Sequence, residues 1–192
     1  MKKSEATKMK LLEASGRAFR RDGYAGIGVD SIAKHAGVTS GAFYAHLKSK
    51  NGAFRAALVA GLEEVLAALP EYRETHGAQW PAAFADYYLG QAHRIDLEAG
   101  CAMTGLTPDV ARADPAVQTE YAEMMSRIMK QIADHLPQAG PAAEQEAKAW
   151  AFLSALIGGL TLARAVGSAP AADQIARSSK AAALDAIGHS AG

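Results

Sequence analysis

Apolar side chains along this chain recur at the spacing of helices. In the first such stripe, between Glu5 and Arg21, the positions that share one helix face are Leu11, Leu12, Ser15, Ala18 and Phe19. A second stripe follows the same rule and comprises Phe54, Leu58, Leu62, Val65 and Leu69. No segment shows the convincing alternation of polar and apolar residues that marks a half-buried strand. The pattern therefore predicts an all-α fold.

Capping residues predict where several of these helices begin and end. Gly23 suits a left-handed residue that closes the first helix, and Gly37 closes a short second helix. Ser49 suits the N-cap of a fourth helix. Asp114 followed by Pro115 predicts the start of a long helix, because proline is tolerated in a first turn.

The middle and end of the chain are also predicted to be helical. We expect the stripe that begins at Phe54 to end at Pro70, and the polar residues 71–80 to form a loop. A helix is expected from about Pro141 to Val166, densely apolar from Trp150 onward, and a last helix from near Pro170.

Two short helices joined by the segment HAGVTSG have the dimensions of a helix-turn-helix, at about residues 28–47. Thr39 or Ser40 is expected to cap the second of them. Phe43 and Leu47, four residues apart, are expected to face the core.

The remaining side chains around this second helix suit duplex DNA. Small residues let the backbone approach the major groove, while hydroxyl, imidazole and ammonium groups can contact phosphates or base edges. We predict DNA contacts from Thr39, Ser40, Gly41, Ala42, Tyr44, His46, Lys48 and Lys50. The alternative is that Tyr44 and His46 belong to an ordinary solvated helix face.

The distribution of charge favours the DNA hypothesis. The formal net charge is zero, but residues 1–50 hold ten Lys and Arg against four Asp and Glu, while residues 51–192 hold ten against sixteen. A basic first quarter is typical of a segment that meets a polyanion. Chance segregation of charges on solvated faces is the alternative.

Many positions between Leu11 and Phe54 follow one known pattern at fixed spacing. They are Gly23, Tyr24, Val29, Ile32, Ala33, Ala36, Gly37, Val38, Gly41, Phe43, Tyr44, His46, Ser49, Lys50 and Phe54. The stretch that they define resembles the N-terminal domain of the TetR/AcrR family of transcriptional regulators. The resemblance implies a three-helix DNA-binding domain, residues 4–64, and a helical ligand-binding and dimerisation domain, residues 65–192.

The sequence departs from the family pattern at three places. Ile27 and Gly28 stand where the family commonly has Thr-Ser, so a side-chain cap for the second helix is lost. Leu47 replaces a usual phenylalanine. Asn51 and Gly52 replace a pair that favours helix more strongly.

The resemblance implies a repressor that a small-molecule or electrophile inducer releases from an inverted-repeat operator in double-stranded DNA. A ligand-responsive activator and a helical binding protein without a DNA function remain alternatives. The resemblance also implies a homodimer built on the last two helices, and the helix from residue 150 is apolar almost all round. The interface residues that we predict are Leu153, Ile157, Leu160, Arg164 and Leu184. A core helix of a monomer is the alternative.

Aromatic and methionine side chains in the middle helices predict a cavity for an unidentified ligand. The predicted lining is Trp80, Phe84, Tyr87, Tyr88, Gln91, Cys101, Met103, Met124, Met125, Ile128, Trp150 and Phe152. Such a stripe is also typical of an ordinary core. Some family members resembling this segment use a cysteine at the place of Cys101 to sense electrophiles, but its neighbours favour an inert thiol over a reactive one.

No other class of function finds support in the sequence. The motifs of hydrolases, P-loop proteins and dinucleotide-binding enzymes are missing, and the six histidines are scattered. We therefore expect no catalysis, cofactor or metal. The charged start, the single cysteine and the lack of a long apolar run predict a cytoplasmic protein without a membrane segment.

Overall fold

The structure is a computed structural model that describes residues 3–189, and within them the chain forms ten α-helices and no strand. The helices are α1 (Lys3–Gly26), α2 (Val29–His35), α3 (Ser40–Leu47), α4 (Lys50–His76), α5 (Trp80–Tyr88), α6 (Gln91–Ile95), α7 (Ala102–Val110), α8 (Pro115–Ala133), α9 (Ala142–Ala165) and α10 (Ala169–Ala186). A short 3-10 helix, Gly77–Gln79, separates α4 from α5. The all-α prediction is confirmed.

The helices group into two compact units. The first unit comprises the residues up to Glu63 together with Leu97–Ala122, and the second comprises Glu64–Asp96 and the residues from Glu123 onward. The domain boundary that we predict from the sequence, after residue 64, stays a prediction. The structure adds that α7 and the start of α8 group with the N-terminal helices.

The first unit has a continuous apolar core. Its most deeply buried large side chains include Leu11, Phe19, Ile32, Phe43, Phe54 and Leu58. The Phe19 ring packs edge-on against Phe54, with centroids 5.4 Å apart, and stacks on Tyr24 at 5.9 Å. This aromatic cluster holds α1 against α4.

Hydrogen bonds attach the segment from Leu97 onward to α1. Arg20 Nε donates to the carbonyl oxygen of Glu98 at 2.6 Å, and the backbone N–H of Tyr24 donates to the carboxylate of Asp109 at 2.8 Å. A single solvated hydrogen bond contributes little to stability. These two hydrogen bonds together attach a distant stretch of the chain to α1 at two separate points.

Helix α7 also approaches α4 closely at one point. A Cβ placed on Gly61 would lie 2.5 Å from the Cβ of Ala102, a separation that atoms do not adopt. Gly105, one turn further along α7, would meet the side chain of Arg20 at 3.2 Å. Gly61 therefore permits the contact of α4 with α7, and Gly105 permits the contact of α7 with α1.

The second unit is built around the antiparallel pair α9 and α10 and includes α5 and α6. Its buried side chains include Phe152, Leu153, Leu156, Leu160, Leu184 and Ile187. A Cβ on Gly159 would lie 2.4 Å from Ser179, so a glycine is needed where α9 approaches α10. Ion pairs between Lys180 and Asp86, at 2.5 Å, and between Arg94 and Asp173, at 2.7 Å, join α10 to α5 and α6.

The structure corrects one helix boundary. We expected Pro70 to end its helix and residues 71–80 to form a loop, but α4 continues through Pro70 to His76. Proline removes one backbone donor without forbidding helical φ, so a helix can continue past it when packing supports the next turn. Here the Tyr72 ring packs edge-on against Phe84, 5.5 Å away.

In the part of the chain that the structure describes, no helix is both long and apolar enough to cross a membrane.

Candidate nucleic-acid interface

The turn between α2 and α3 is closed by backbone hydrogen bonds. Gly37 has a φ of 69°, and its N–H donates to the carbonyl of Lys34 at 3.1 Å, while Val38 N–H donates to Ala33 at 3.0 Å. A positive φ favours glycine, so the predicted role of Gly37 is confirmed. Gly23 also has a positive φ, of 72°, but its ψ is extended. It therefore kinks α1 and does not end it, and the helix continues to Gly26.

Helix α3 is anchored by its apolar face and capped by one hydroxyl. Phe43 is fully buried and Leu47 is 5% exposed, as predicted. Thr39 is the N-cap, and its Oγ1 accepts from the N–H of Ala42 at 3.2 Å. Tyr44 follows Phe43 and lies outside the buried face, where its side chain is 51% exposed. The anchored face thus fixes α3 while the other face meets solvent.

Cationic groups flank the end of α3. Lys48 ends the helix with a φ of 66°, and its Nζ donates to the carbonyl of Ala45 at 2.9 Å. Lys50 begins α4, and its Nζ lies 4.5 Å from the centroid of the Tyr24 ring, a cation–π contact. His46 is half-buried. The ring beneath Lys50 limits the positions that this ammonium group can take.

Ser40, the first residue of α3, is bound to a residue that we did not predict from the sequence. Its Oγ donates to Oδ1 of Asp30, in the first turn of α2, at 2.5 Å. Gly28 is the N-cap of α2 and supplies no side-chain bond, as the sequence indicated. An acidic residue therefore lies at the surface that carries the predicted DNA contacts.

At the start of α4, Asn51 and Gly52, which depart from the family pattern, both take part in hydrogen bonds. Ser49 Oγ accepts from the N–H of Gly52 at 2.9 Å, so the predicted N-cap is confirmed. The Asn51 amide donates to the carboxylate of Asp114 at 2.9 Å. That carboxylate also caps α8, and the N–H of Val117 holds its pKa below the ordinary value.

A known family matches this part of the sequence. Residues 11–57 match the family model described as bacterial regulatory proteins, tetR family. The matched range begins in α1 and ends in α4, and it contains the whole helix-turn-helix. The helix-turn-helix segment thus resembles that of the tetR family of bacterial regulatory proteins. This likeness supports DNA-binding transcriptional regulation as the general function.

Solved structures, TetR-family regulators among them, share the fold of nearly the whole chain. A regulator from Cytophaga hutchinsonii matches with a TM-score of 0.80 at 16% identity, over 98% of this chain and 96% of that one. SCO4454 from Streptomyces coelicolor matches with a TM-score of 0.77 at 17% identity, over 95% of each chain. The reduced form of NemR from E. coli matches with a TM-score of 0.70 at 18% identity, over 91% of this chain and 95% of that one. No curated protein sequence gives a significant match.

The residues predicted to line a ligand cavity divide between the two units. Cys101, half-buried, and Met103, fully buried, lie in the first unit. The buried members in the second unit are Trp80, Phe84, Tyr88, Met124, Met125, Ile128 and Phe152, and the exposed ones are Tyr87, Gln91 and Trp150. The cavity itself stays a prediction.

The buried aromatic rings of the second unit pack against one another. Phe152 lies 6.2 Å from Trp80 and 6.4 Å from Phe84, between ring centroids. At the surface, the Tyr87 and His93 rings are 4.7 Å apart, and burial lowers the pKa of His93. His93 Nδ1 donates to the carbonyl oxygen of Tyr88 at 3.1 Å, so a neutral imidazole offers Nε2 to a ligand as an acceptor.

The predicted dimer residues also occupy different environments. Leu153, Leu160 and Leu184 are buried inside their own chain, whereas Ile157 is half-buried. Arg164 donates to the carbonyl oxygen of His93 through Nη2, at 2.6 Å. The most exposed large apolar side chain of α9 is Leu162, which is 59% exposed. We did not predict it as an interface residue.

Within residues 3–189, no group of three or more His, Cys, Asp or Glu side chains is placed to hold a metal ion.

Proposed function

We propose that the protein is a TetR-family repressor that binds an inverted-repeat operator through α3. The observation that carries the proposal is the geometry of α3, which is anchored by Phe43 and Leu47 and presents Thr39 and Tyr44 outward. Residues at the start of such a helix reach base edges, and those beside it hold the phosphate backbone. An operator of this kind lies in the cytoplasm of a bacterium.

An inverted repeat requires two copies of α3, related by a two-fold axis. A homodimer supplies them. The exposed apolar side chains of α9, Leu162 and Trp150, support an interface on this helix. A glycine at position 158, where an added Cβ would touch nothing, keeps the same helix surface flat.

An inducer would release this dimer from DNA, and we propose two kinds. A small apolar molecule would bind among the aromatic and methionine side chains of the second unit. An electrophile would instead modify Cys101, which is half-buried at the N-cap of α7. A helix N-terminus stabilises a thiolate, which is the reactive form of the side chain.

Substitutions of phosphate-facing residues test the DNA-binding surface. Lys50→Ala is expected to weaken binding to every duplex sequence alike and to lower the slope of log affinity against log salt by about one, because one fewer counterion is released. Tyr44→Phe is expected to weaken all sites alike without changing that slope. The measurement is fluorescence anisotropy with the selected operator and its point variants over a salt series.

Lys130→Ala is the matched control, because it removes the same charge from an exposed position of the second unit that pairs with Asp134. It should leave both affinity and salt slope unchanged. Equal losses for the Lys50 and Lys130 variants would show that net charge, and not this surface, controls binding. A parent protein that binds no duplex even at low salt would refute the proposed function.

A further inference from the structure

The hydrogen bond between Ser40 and Asp30 fixes the direction of one hydroxyl group on the candidate DNA surface. The two residues are ten positions apart, one in the first turn of α3 and the other in the first turn of α2. An ionised carboxylate offers only acceptor sites, so the single hydroxyl proton of Ser40 lies in this bond. Ser40 Oγ is left with lone pairs and no proton for any further partner.

Thr39 shows the opposite arrangement one residue earlier. Its Oγ1 accepts from the N–H of Ala42, so its own proton remains available for donation. A donor hydroxyl suits a phosphate oxygen, which only accepts. The two neighbouring hydroxyls therefore differ in what they can recognise, although their side chains are chemically similar.

In the major groove, the bases differ in whether their exposed edge carries a hydrogen-bond donor. Adenine presents its N6 amino group and cytosine its N4 amino group, whereas guanine and thymine present no donor on that edge. A serine that is free to rotate can contact either class, because its hydroxyl both donates and accepts. A serine held as an acceptor can hydrogen-bond directly only with an amino group.

We propose that Asp30 is a specificity-determining residue that holds Ser40 as an acceptor, so that Ser40 selects adenine or cytosine in each half-site. This inference rests on the proposed DNA-binding function. The Asp30 carboxylate supports the same choice, because it accepts from cytosine N4 and repels the acceptor-only edge of guanine. Asp30 is a positioning residue, because it orients the hydroxyl group of Ser40. Its negative charge adds to the same base preference.

The experiment is selection of bound fragments from a random duplex library with the full-length protein, followed by affinity measurements on point variants of the selected site. Ser40→Ala identifies the base position that Ser40 reads, as the one at which preference is lost. There, the parent is expected to favour adenine or cytosine over guanine or thymine by about tenfold, the effect of one good hydrogen bond. Asp30→Ala is expected to reduce this ratio to within about threefold, because the freed hydroxyl can also donate.

Two further variants complete the test. Asp30→Asn keeps the size of the side chain but can donate to Ser40, so it is expected to relax the same base preference even if Asp30→Ala folds poorly. Glu13→Ala removes an equal charge from an exposed position of α1 and should leave base preference unchanged. Melting temperatures check that each variant is folded.

Three results would overturn the inference while leaving DNA binding intact. They are a guanine or thymine preference at the Ser40 position, an unchanged preference in both Asp30 variants, and no position at which Ser40→Ala alters preference. Loss of all duplex binding by the parent would overturn the inference together with the proposed function.

Discussion

Gly52 lies where a side chain would collide with the end of α3. A Cβ built on this residue would be 2.3 Å from the carbonyl oxygen of Leu47, and a backbone atom cannot turn aside as a flexible side chain can. The sequence indicated only that glycine weakens a helix at this point. The structure shows that its small size permits the close turn from α3 into α4.

Gly52→Ala is therefore expected to destabilise the protein by about 1–3 kcal/mol, the usual cost of forcing extra volume into a tight contact. Gly41→Ala is the matched control, since Gly41 also lies in a first helical turn and its nearest neighbour would be 3.7 Å away. That variant should be neutral or slightly stabilising, because alanine favours helix. Urea unfolding without DNA measures both, and equal effects would contradict the steric explanation.

Caps are the residues that the sequence predicted best. Gly37, Thr39, Ser49 and Asp114 act within a few positions of themselves, so local spacing is enough to find them. The bond from Ser40 to Asp30 depends instead on how α2 crosses α3. An acidic residue in the first turn of the preceding helix was the available signal, but many helices carry one there.

Among the elements, α4 and α7 show where periodicity stops being informative. The stripe from Phe54 to Leu69 predicted the first part of α4, but the turns after Pro70 are polar and depend on Tyr72 packing. Helix α7 forms from Ala102 to Val110 although Pro108 lies inside it. Tertiary contacts outweigh local propensity in both places.

The position of Cys101 at the start of α7 makes the electrophile hypothesis testable. The next residue, Ala102, packs on Gly61 without spare room, so a bulky group on the neighbouring sulfur is expected to disturb the contact between α7 and α4. Cys101→Ser should keep operator binding and abolish release by N-ethylmaleimide, measured as loss of anisotropy. Release that persists in this variant, or is absent in the parent, would leave Cys101 as an inert side chain.

At the scale of the whole molecule, the exposed face of α9 predicts how two copies meet. Leu162→Glu is expected to convert the dimer to a monomer with little change in melting temperature, because a carboxylate would be buried at the interface but exposed in the monomer. Leu160→Glu is expected to unfold the chain instead, since Leu160 is fully buried within it. Sedimentation velocity and thermal unfolding distinguish these outcomes.

Leu97→Glu is the matched control, because Leu97 is also exposed, at 39%, but belongs to the first unit. It should leave the assembly unchanged. A Leu162→Glu protein that remains dimeric would place the interface on another surface of the molecule.

The sequence predicted the fold class because helical periodicity is a property of short windows. It did not predict that Leu97–Ala122 groups with the N-terminal helices, since that depends on contacts such as Arg20 to Glu98, 78 positions apart. No local pattern encodes such a separation. The burial of Leu160 and the exposure of Leu162 were missed for a related reason, because an almost wholly apolar helix does not reveal which side faces its own chain.

The discontinuity of the first unit affects how the protein emerges from the ribosome. A nascent chain grows by about 5–20 residues per second, and N-terminal domains commonly fold before synthesis ends. Here α1 to α4 are synthesised long before α7, which covers Gly61 and supplies Asp109 to Tyr24. The surface of the N-terminal helices that α7 covers is therefore exposed until Asp109 has left the exit tunnel.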